Sequence, residues 1–467
     1  MNRLKSASAG LFLSALTLSG FYNKLKQNIL KATEKYMRLL PGTILLLFFS
    51  IIYFFSIASA DAGYKGITIN ALLEGHPTDR AVAKLLPEFE KQTGIRVNIE
   101  VLPFEKMTKT GEDILNSKSD RYDVIMDAWV NAVNYAEAGH LEPLDSFINN
   151  KRLNRFIDTG DFVDEYLAES CYKRERFGLP MYGESTFFYY RKDIFDKYRI
   201  KVPETMEELK EAAAAVKEKS NGEVYGISLR GREGIHSVYI WSTFLWSFGG
   251  RWINEQGRSE LDSPEAIKAA EFYSDLLNNY GPPGYSGFGW IENRDIFIRG
   301  RAAMSIDATV NGAFNEDTKI SVVAGKTGYA GVPAAKGIKL KGGNSALVTH
   351  QMYINAYSKK KEAAFLFISW ATSKKTQLRG LNHEPNSGVS SKTAINSALY
   401  NKKFGSFKKT MLESLKKGNP DYLPRVAQGP VIFQKTGEAL SRILSGNEKA
   451  EEAMKRVNRE INDILSE

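Results

Sequence analysis

Residues 67–101 read ITINALLEGHPTDRAVAKLLPEFEKQTGIRVNIEV, and the periodicity of this stretch decides the fold. Ile67 to Leu73 is short and mostly apolar, the composition of a strand. Thr78 or Asp79 can cap a helix that sets Ala81, Val82, Leu85, Leu86 and Phe89 on one face and stops at Gly94. Ile95, Val97, Ile99 and Val101 then alternate with polar residues, which is strand periodicity. Strand, helix and strand in so short a stretch form a βαβ unit, and that unit implies a parallel sheet.

Downstream, a helix around Phe104 to Leu115 and the run Tyr122-Asp123-Val124-Ile125-Met126 extend the unit into an open α/β lobe. Such sheets bind ligands beyond the carboxyl ends of their strands. The ends presented there are Leu73-Glu74-Gly75-His76 and Asp127-Ala128-Trp129. From Gly178 the pattern changes. Leu179 to Thr186, with Gly183 in a polar turn before the aromatic run Phe187 to Tyr190, suits a crossing into a second lobe. Thr205 with Glu208 forms a capping box ahead of a helix over 206–219. Tyr225 to Leu229 reads as a strand, Trp241 to Phe248 as an aromatic helix or turn, and Ser263-Pro264-Glu265 as another helix start. Ala302 to Asp307 is a strand placed to cross back, and Gly342-Gly343-Asn344-Ser345 a third crossing. The expected organisation is an extension and signal over 1–60, one lobe of 61–182 plus about 304–345, and a second of 183–303 plus about 346–467.

Before that chain lies an apolar run, Ile44 to Ile57, ending in Ala58-Ser59-Ala60. Small residues at Ala58 and Ala60 fit a signal-peptidase cut with Asp61 as the mature N-terminus, and an uncleaved anchor is the alternative. The run is short against the ~20 residues of a membrane span. Met1 to Tyr36 is either a misassigned start or an extension outside the fold, with a membrane-surface segment as the rival reading.

The formal charge of +9 invites a nucleic-acid partner, but seven of the 63 Lys and Arg sit in residues 1–60 beside one acid, Glu34. Beyond residue 60 the balance is 56 to 53, a net of +3 with no basic block dense enough to track phosphates. Cys171 is the only cysteine, which excludes an internal disulfide and cysteine-based metal clusters. The five histidines are scattered and form no HExxH motif. Gly325-Lys326-Thr327 lacks the earlier glycine of a phosphate loop, because position 320 is Ile320. Gly183-Glu184-Ser185-Thr186-Phe187 fails the nucleophile elbow at its last position. No cofactor is implied.

Several fragments together resemble the extracellular solute-binding proteins of family 1, the carbohydrate- and polyol-binding receptors of ABC importers. They are Leu86 to Val97, Tyr122-Asp123-Val124, Ala138-Gly139-His140-Leu141-Glu142-Pro143-Leu144, Gly178-Leu179-Pro180 before the aromatic strand, Gly300-Arg301-Ala302-Ala303-Met304 with Asp307, and Gly342-Gly343. Their order spans nearly all of 64–467. The resemblance implies an α/β, two-lobed periplasmic binding protein fold, type II-like, with several hinge crossings. It implies an extracytoplasmic monomer that closes on a sugar or polyol and docks on the permease subunits, reaching the ATPase subunit indirectly.

A sugar or polyol needs a ring against its C–H face and carboxylates, amides or guanidinium against its hydroxyls. Asp127 with Trp129 at a strand end is the first candidate pair, against a helix-capping Asp and a packed Trp. Glu184 and Tyr182 sit at the first crossing, where a hinge role is equally open. Trp241 and Trp246, near Gly249-Gly250, are candidate stacking platforms or core residues, and Trp290 is a weaker one. Asp307 is a second clamp or a turn cap. Arg301 is a hydroxyl ligand or a surface charge. Glu74 and His76 belong to the first strand-end loop, Gly343 to a backbone approach or a hinge, and Arg425 to the rim. On this reading Asp127→Ala and Trp241→Ala each weaken binding at least about tenfold. Two other classes stay open on sequence: a secreted glycoside hydrolase or lyase using a carboxylate pair such as Asp127 with Glu184 or Asp307, and a ligand sensor for a membrane kinase.

Overall fold

A computed structural model of the chain describes residues 63–340 and 342–466. The signal-like run, the cut after Ala60 and the segment Met1 to Tyr36 lie outside the described residues. Strand β1 (Thr68–Glu74), helix α1 (Pro77–Thr93), β2 (Arg96–Leu102), α2 (Phe104–Asn116) and β3 (Val124–Ala128) follow one another as the opening stretch implies. β1 pairs in parallel with both β2 and β3. The cap of α1 differs from expectation. His76 occupies the N-cap and its Nδ1 accepts from the Thr78 amide at 3.3 Å, because Pro77 suits the first helical position and has no N–H to satisfy. Gly94, at φ +72°, closes the helix with its N–H on the Glu90 carbonyl at 2.8 Å.

After α3 (Trp129–Glu137) come β4 (Gly178–Glu184), β5 (Thr186–Arg191), β6 (Met304–Ala308), β7 (Thr327–Ala330) and β8 (Val348–Ile354). The first sheet has the order β2-β1-β3-β8-β4, with β8 antiparallel to both neighbours. The second has the order β6-β5-β7 and is antiparallel throughout. One residue, Ser185, separates β4 of the first sheet from β5 of the second, so the crossing falls beside Gly183. A Cβ on Gly183 would lie 2.3 Å from the Tyr166 ring, which is why no larger residue fits the bend.

The expected lobe boundaries need correcting. β6 and β7 pair with β5, so 304–345 does not return to the first lobe. β8 pairs with β3 and β4, so the chain re-enters the first lobe where the second was expected to resume. Both Met304–Ala308 and Val348–Ile354 are buried along their whole length. A strand buried on both faces carries no facial signal, and only the pairing assigns it to a sheet.

The second lobe is built on α4 (Met206–Lys219), α5 (Ile235–Ser247), α6 (Pro264–Tyr280), α7 (Trp290–Ile298), α9 (Ala398–Lys416), α10 (Gly429–Leu444) and α11 (Ala450–Ser466), while α8 (Lys361–Ala371) packs on β8. Thr205 caps α4 with its Oγ1 accepting from the Glu208 amide at 3.2 Å, as expected. Helix α5 is apolar on nearly every face and lies between α6 and α10. The core that surrounds it reaches Ala128 and Val130 at the start of α3, so the two lobes touch through apolar side chains.

Candidate ligand-binding site

A cavity of about 70 Å³ lies where the lobes meet. That is several times the ~10–15 Å³ needed by one water. The first lobe contributes Glu74 at the end of β1, His76 at the cap of α1, Phe104 at the start of α2, Asn131 on α3, Tyr182 and Glu184 on β4, and His350 on β8. The second lobe contributes Arg230, the α5 residues His236 and Tyr239, and Trp290 at the start of α7. Glu74 and Glu184 close their strands, and His76, Phe104 and Trp290 stand at helix starts, as the rule for open α/β sheets leads one to expect, while Arg230 comes from an irregular segment and Tyr239 from within α5.

Three rings form one wall. Tyr182 stacks on His76 at 3.8 Å between centroids and on His350 at 4.3 Å, with interplanar angles of 10° and 13°. Phe104 meets His350 edge-on at 5.7 Å. The Tyr182 hydroxyl donates to Glu74 Oε2 at 2.6 Å. Burial and the nearby Arg230 push His350 down to about 3, so its ring is neutral. Its Nδ1 stands 3.5 Å from Glu74 Oε2 without making a hydrogen bond, so the contact is not an ion pair at neutral pH. Burial likewise holds His76 well below its usual value.

The carboxyls respond in the opposite sense. Burial raises Glu74 from the usual 4.5 to about 7, against the pull of the Tyr182 hydrogen bond. Burial raises Glu184 to about 8, with Glu74 and Asp307 adding repulsion and Arg230 opposing. Glu184 is partly exposed where it lines the cavity, and no hydrogen bond satisfies its carboxyl among the described residues. Among the described residues Arg230 is the one guanidinium on the cavity wall, and it is already engaged. Its Nε donates to both oxygens of Asp307 at 3.0 and 3.1 Å, and its Nη2 closes the fork. Asp307 also accepts from Asn293 Nδ2 and from the Ala308 amide, each at 2.6 Å. The guanidinium lies 4.7 Å from the Tyr239 ring centroid, which orients it over the cavity.

Of the residues singled out in the sequence, His76, Tyr182, Glu184, Glu74 and Trp290 line this cavity. Asp127 does not. Its carboxyl is fully buried one layer back and accepts from Thr108, the Ala128 amide, Asn131 and Tyr135. It therefore orients Asn131, which does reach the cavity. Asp307 is likewise behind the wall, holding Arg230. Trp129 packs against Tyr353 at 6.4 Å, and Trp241 is enclosed in the α5 core, edge-on to Trp252 at 5.4 Å. Arg301 is exposed and does not line the cavity. Trp246, Gly343 and Arg425 border a separate groove of about 730 Å³. A Cβ on Gly343 would fall 1.5 Å from the Lys417 carbonyl oxygen, so this glycine serves close backbone packing. Arg425 is tied to Glu169.

Arg230, Asn131, Tyr239, His236, Phe104 and His350 are the wall residues that sequence reasoning missed. Arg230 had a signal: it follows the apolar run Tyr225 to Leu229, at a strand-like end in the second lobe. His350 had none, since every residue of β8 is buried and no facial alternation singles it out.

A two-lobed α/β chain with a cavity between its lobes, walled by rings, apolar residues and a few polar side chains, is a binding protein of the periplasmic receptor type. The chain belongs to the bacterial extracellular solute-binding protein family, whose profile matches residues 75–378. A mannitol-binding protein of Pseudomonas aeruginosa is 30% identical over 357 residues, 72% of this chain and 79% of that protein. A solute-binding protein of an Agrobacterium vitis ABC transporter, solved with bound D-mannitol, is 29% identical with a TM-score of 0.77, covering 86% of this chain and 99% of that one. Another from Agrobacterium radiobacter, in complex with ribitol, is 26% identical with a TM-score of 0.78, covering 86% and 99%.

Proposed function

We propose that this protein is the extracytoplasmic receptor of an ABC importer and that it captures a neutral sugar or, better, a linear polyol. The observation that carries this reading is the cavity itself: small, lined by both lobes, walled on one side by three stacked rings and on others by carboxyl, amide and guanidinium groups. The rings suit C–H groups and the polar side chains suit hydroxyls. Relatives that bind mannitol and ribitol support a ligand of that size.

Charge narrows the class. The Arg230 guanidinium is neutralised by Asp307, and Glu74 and Glu184 bring no positive charge. A phosphate or carboxylate ligand would find no unpaired cation on the described wall. Sugar phosphates are therefore disfavoured. The reading has no catalytic step: the ligand leaves unchanged, and the closed form is handed to the membrane permease. Export places the mature chain outside the cytoplasm, with Asp61 as its first residue. A thermal-shift screen of neutral polyols, hexoses, disaccharides and sugar phosphates tests this, with chromatography of each ligand afterwards. Stabilisation by a tetritol-to-hexitol polyol, recovered intact, is the expected result, since a ligand bound only by the native state raises stability. Stabilisation by sugar phosphates alone, or conversion of the ligand, would overturn it.

A further inference from the structure

We propose that Glu105 is the latch of the cavity's entrance port, and that the breaking of its contact with Arg232 and His236 sets the rate at which ligand leaves. The inference rests on the functional reading above for its kinetic consequence, though not for the contact itself.

A second chamber of about 260 Å³ adjoins the ligand cavity. The two share Glu74, Phe104, His236 and Trp290 as wall residues, so these side chains form the partition between them. The outer chamber reaches the surface: Val101 of β2 and Ile291 of α7 line it and are 43% and 44% exposed. One of these comes from each lobe, so the port lies on the seam that hinge opening would part.

Glu105 lines only the outer chamber. From the first turn of α2 its Oε1 accepts from His236 Nε2 at 2.6 Å and from Arg232 Nη1 at 3.2 Å, both in the second lobe. Arg232 is itself fixed, with Nη2 donating to the Gly287 carbonyl at 2.9 Å and pairing with Glu292 at 2.8 Å. The latch therefore joins a helix start of one lobe to an anchored guanidinium and a buried imidazole of the other. Burial holds His236 below its usual value, so the ring is neutral and donates Nε2–H to the carboxylate. That hydrogen bond holds Glu105 down at about 2, and the carboxylate stays ionised at any working pH. The Glu105 side chain is 49% exposed, so once the contact breaks it rehydrates readily and the start of α2 can swing clear. Arg425 with Glu169 is a second polar contact across the lobes, but it borders the separate groove and not this port.

A latch outside the cavity acts on release more than on capture. Losing one charge-assisted contact is worth about tenfold in rate. The test is stopped-flow fluorescence on the full chain with D-mannitol as probe, comparing wild type, Glu105→Ala, Arg232→Ala and the double variant. Release is expected about tenfold faster in Glu105→Ala and less accelerated in Arg232→Ala, which keeps the His236 bond, with association within about threefold in both, and the double variant no faster than about twice Glu105→Ala because Glu105 is common to both arms of the latch. Release at the wild-type rate in Glu105→Ala would overturn the proposal, as would an equal change in association. Amide hydrogen exchange without ligand decides the contact independently. Faster exchange at residues 106–108 and 236–238 in Glu105→Ala supports the latch, and unchanged exchange refutes it. Failure of wild type to bind any polyol would sink the functional reading and leave the exchange result standing.

Discussion

Asp307→Asn isolates the charge that the cavity hides. Asp307 is fully buried and Arg230 is nearly so, with side-chain exposures of 0% and 10%. The substitution keeps shape and removes the counter-ion, leaving a guanidinium enclosed beside Tyr239 with no ionised partner in contact. Breaking a buried pair by removing one member costs about 3–5 kcal/mol, because the other charge is left uncompensated. Glu184, the next carboxyl felt by Arg230, offsets part of this by ionising more readily, so the loss is expected near the lower figure, about 3 kcal/mol. The assay is urea unfolding of the ligand-free protein at pH 7, with Asp307→Asn/Arg230→Met as the second arm. That double variant removes both charges and is expected to recover at least about half of the loss. Polyol affinity should fall in Asp307→Asn as Arg230 turns toward Glu184. A single-variant loss below about 1 kcal/mol, or a double variant no more stable than the single, would refute the reasoning.

Tyr182→Phe removes the hydroxyl that Glu74 accepts from and leaves the ring stack in place, so polyol affinity is expected to fall about threefold to tenfold by calorimetry with little change in thermal midpoint. Glu74 and Glu184 hold their protons more tightly folded, near 7 and 8, than unfolded, near 4.5. The native state therefore binds more protons across that range, and ligand-free stability is expected to decline as pH rises from about 4.5 to 8 and then level off. Urea midpoints across this window check it, and Glu184→Gln should flatten the upper half of the slope. Trp241→Ala is expected to cost about 3–5 kcal/mol of stability, read by urea unfolding, because the ring is wholly enclosed. N-terminal sequencing of the exported chain is expected to begin at Asp61, and a start upstream of Ile44 would mean a retained anchor.

The first lobe was legible because β1, α1 and β2 each show their own period over 67–101. The second was harder. Fully buried strands such as Met304–Ala308 and Val348–Ile354 look alike in sequence, and the interlobe topology depends on which neighbour each one finds. The same limit governs the site. Asp127 stands at a strand end, as a ligand-binding carboxylate would, but the following turn of α3 brings Ala128 and Asn131 back onto it and satisfies it locally. Trp241 and Trp246 are five residues apart on one helix, and the sequence offers no means of knowing that α6 and α10 enclose the first and leave the second at a groove. His76 and Tyr182 were within reach because each adjoins a turn signal, Pro77 and Gly183, that fixes the end of an element.

The central claim is that the cavity holds one neutral polyol, and isothermal titration of D-mannitol into the full chain tests it most directly. The expected result is a saturable isotherm with one site per chain, abolished by crowding the cavity with Asn131→Trp, and mannitol recovered unchanged. No binding of mannitol or ribitol by a folded protein, or binding untouched by Asn131→Trp, would contradict the account.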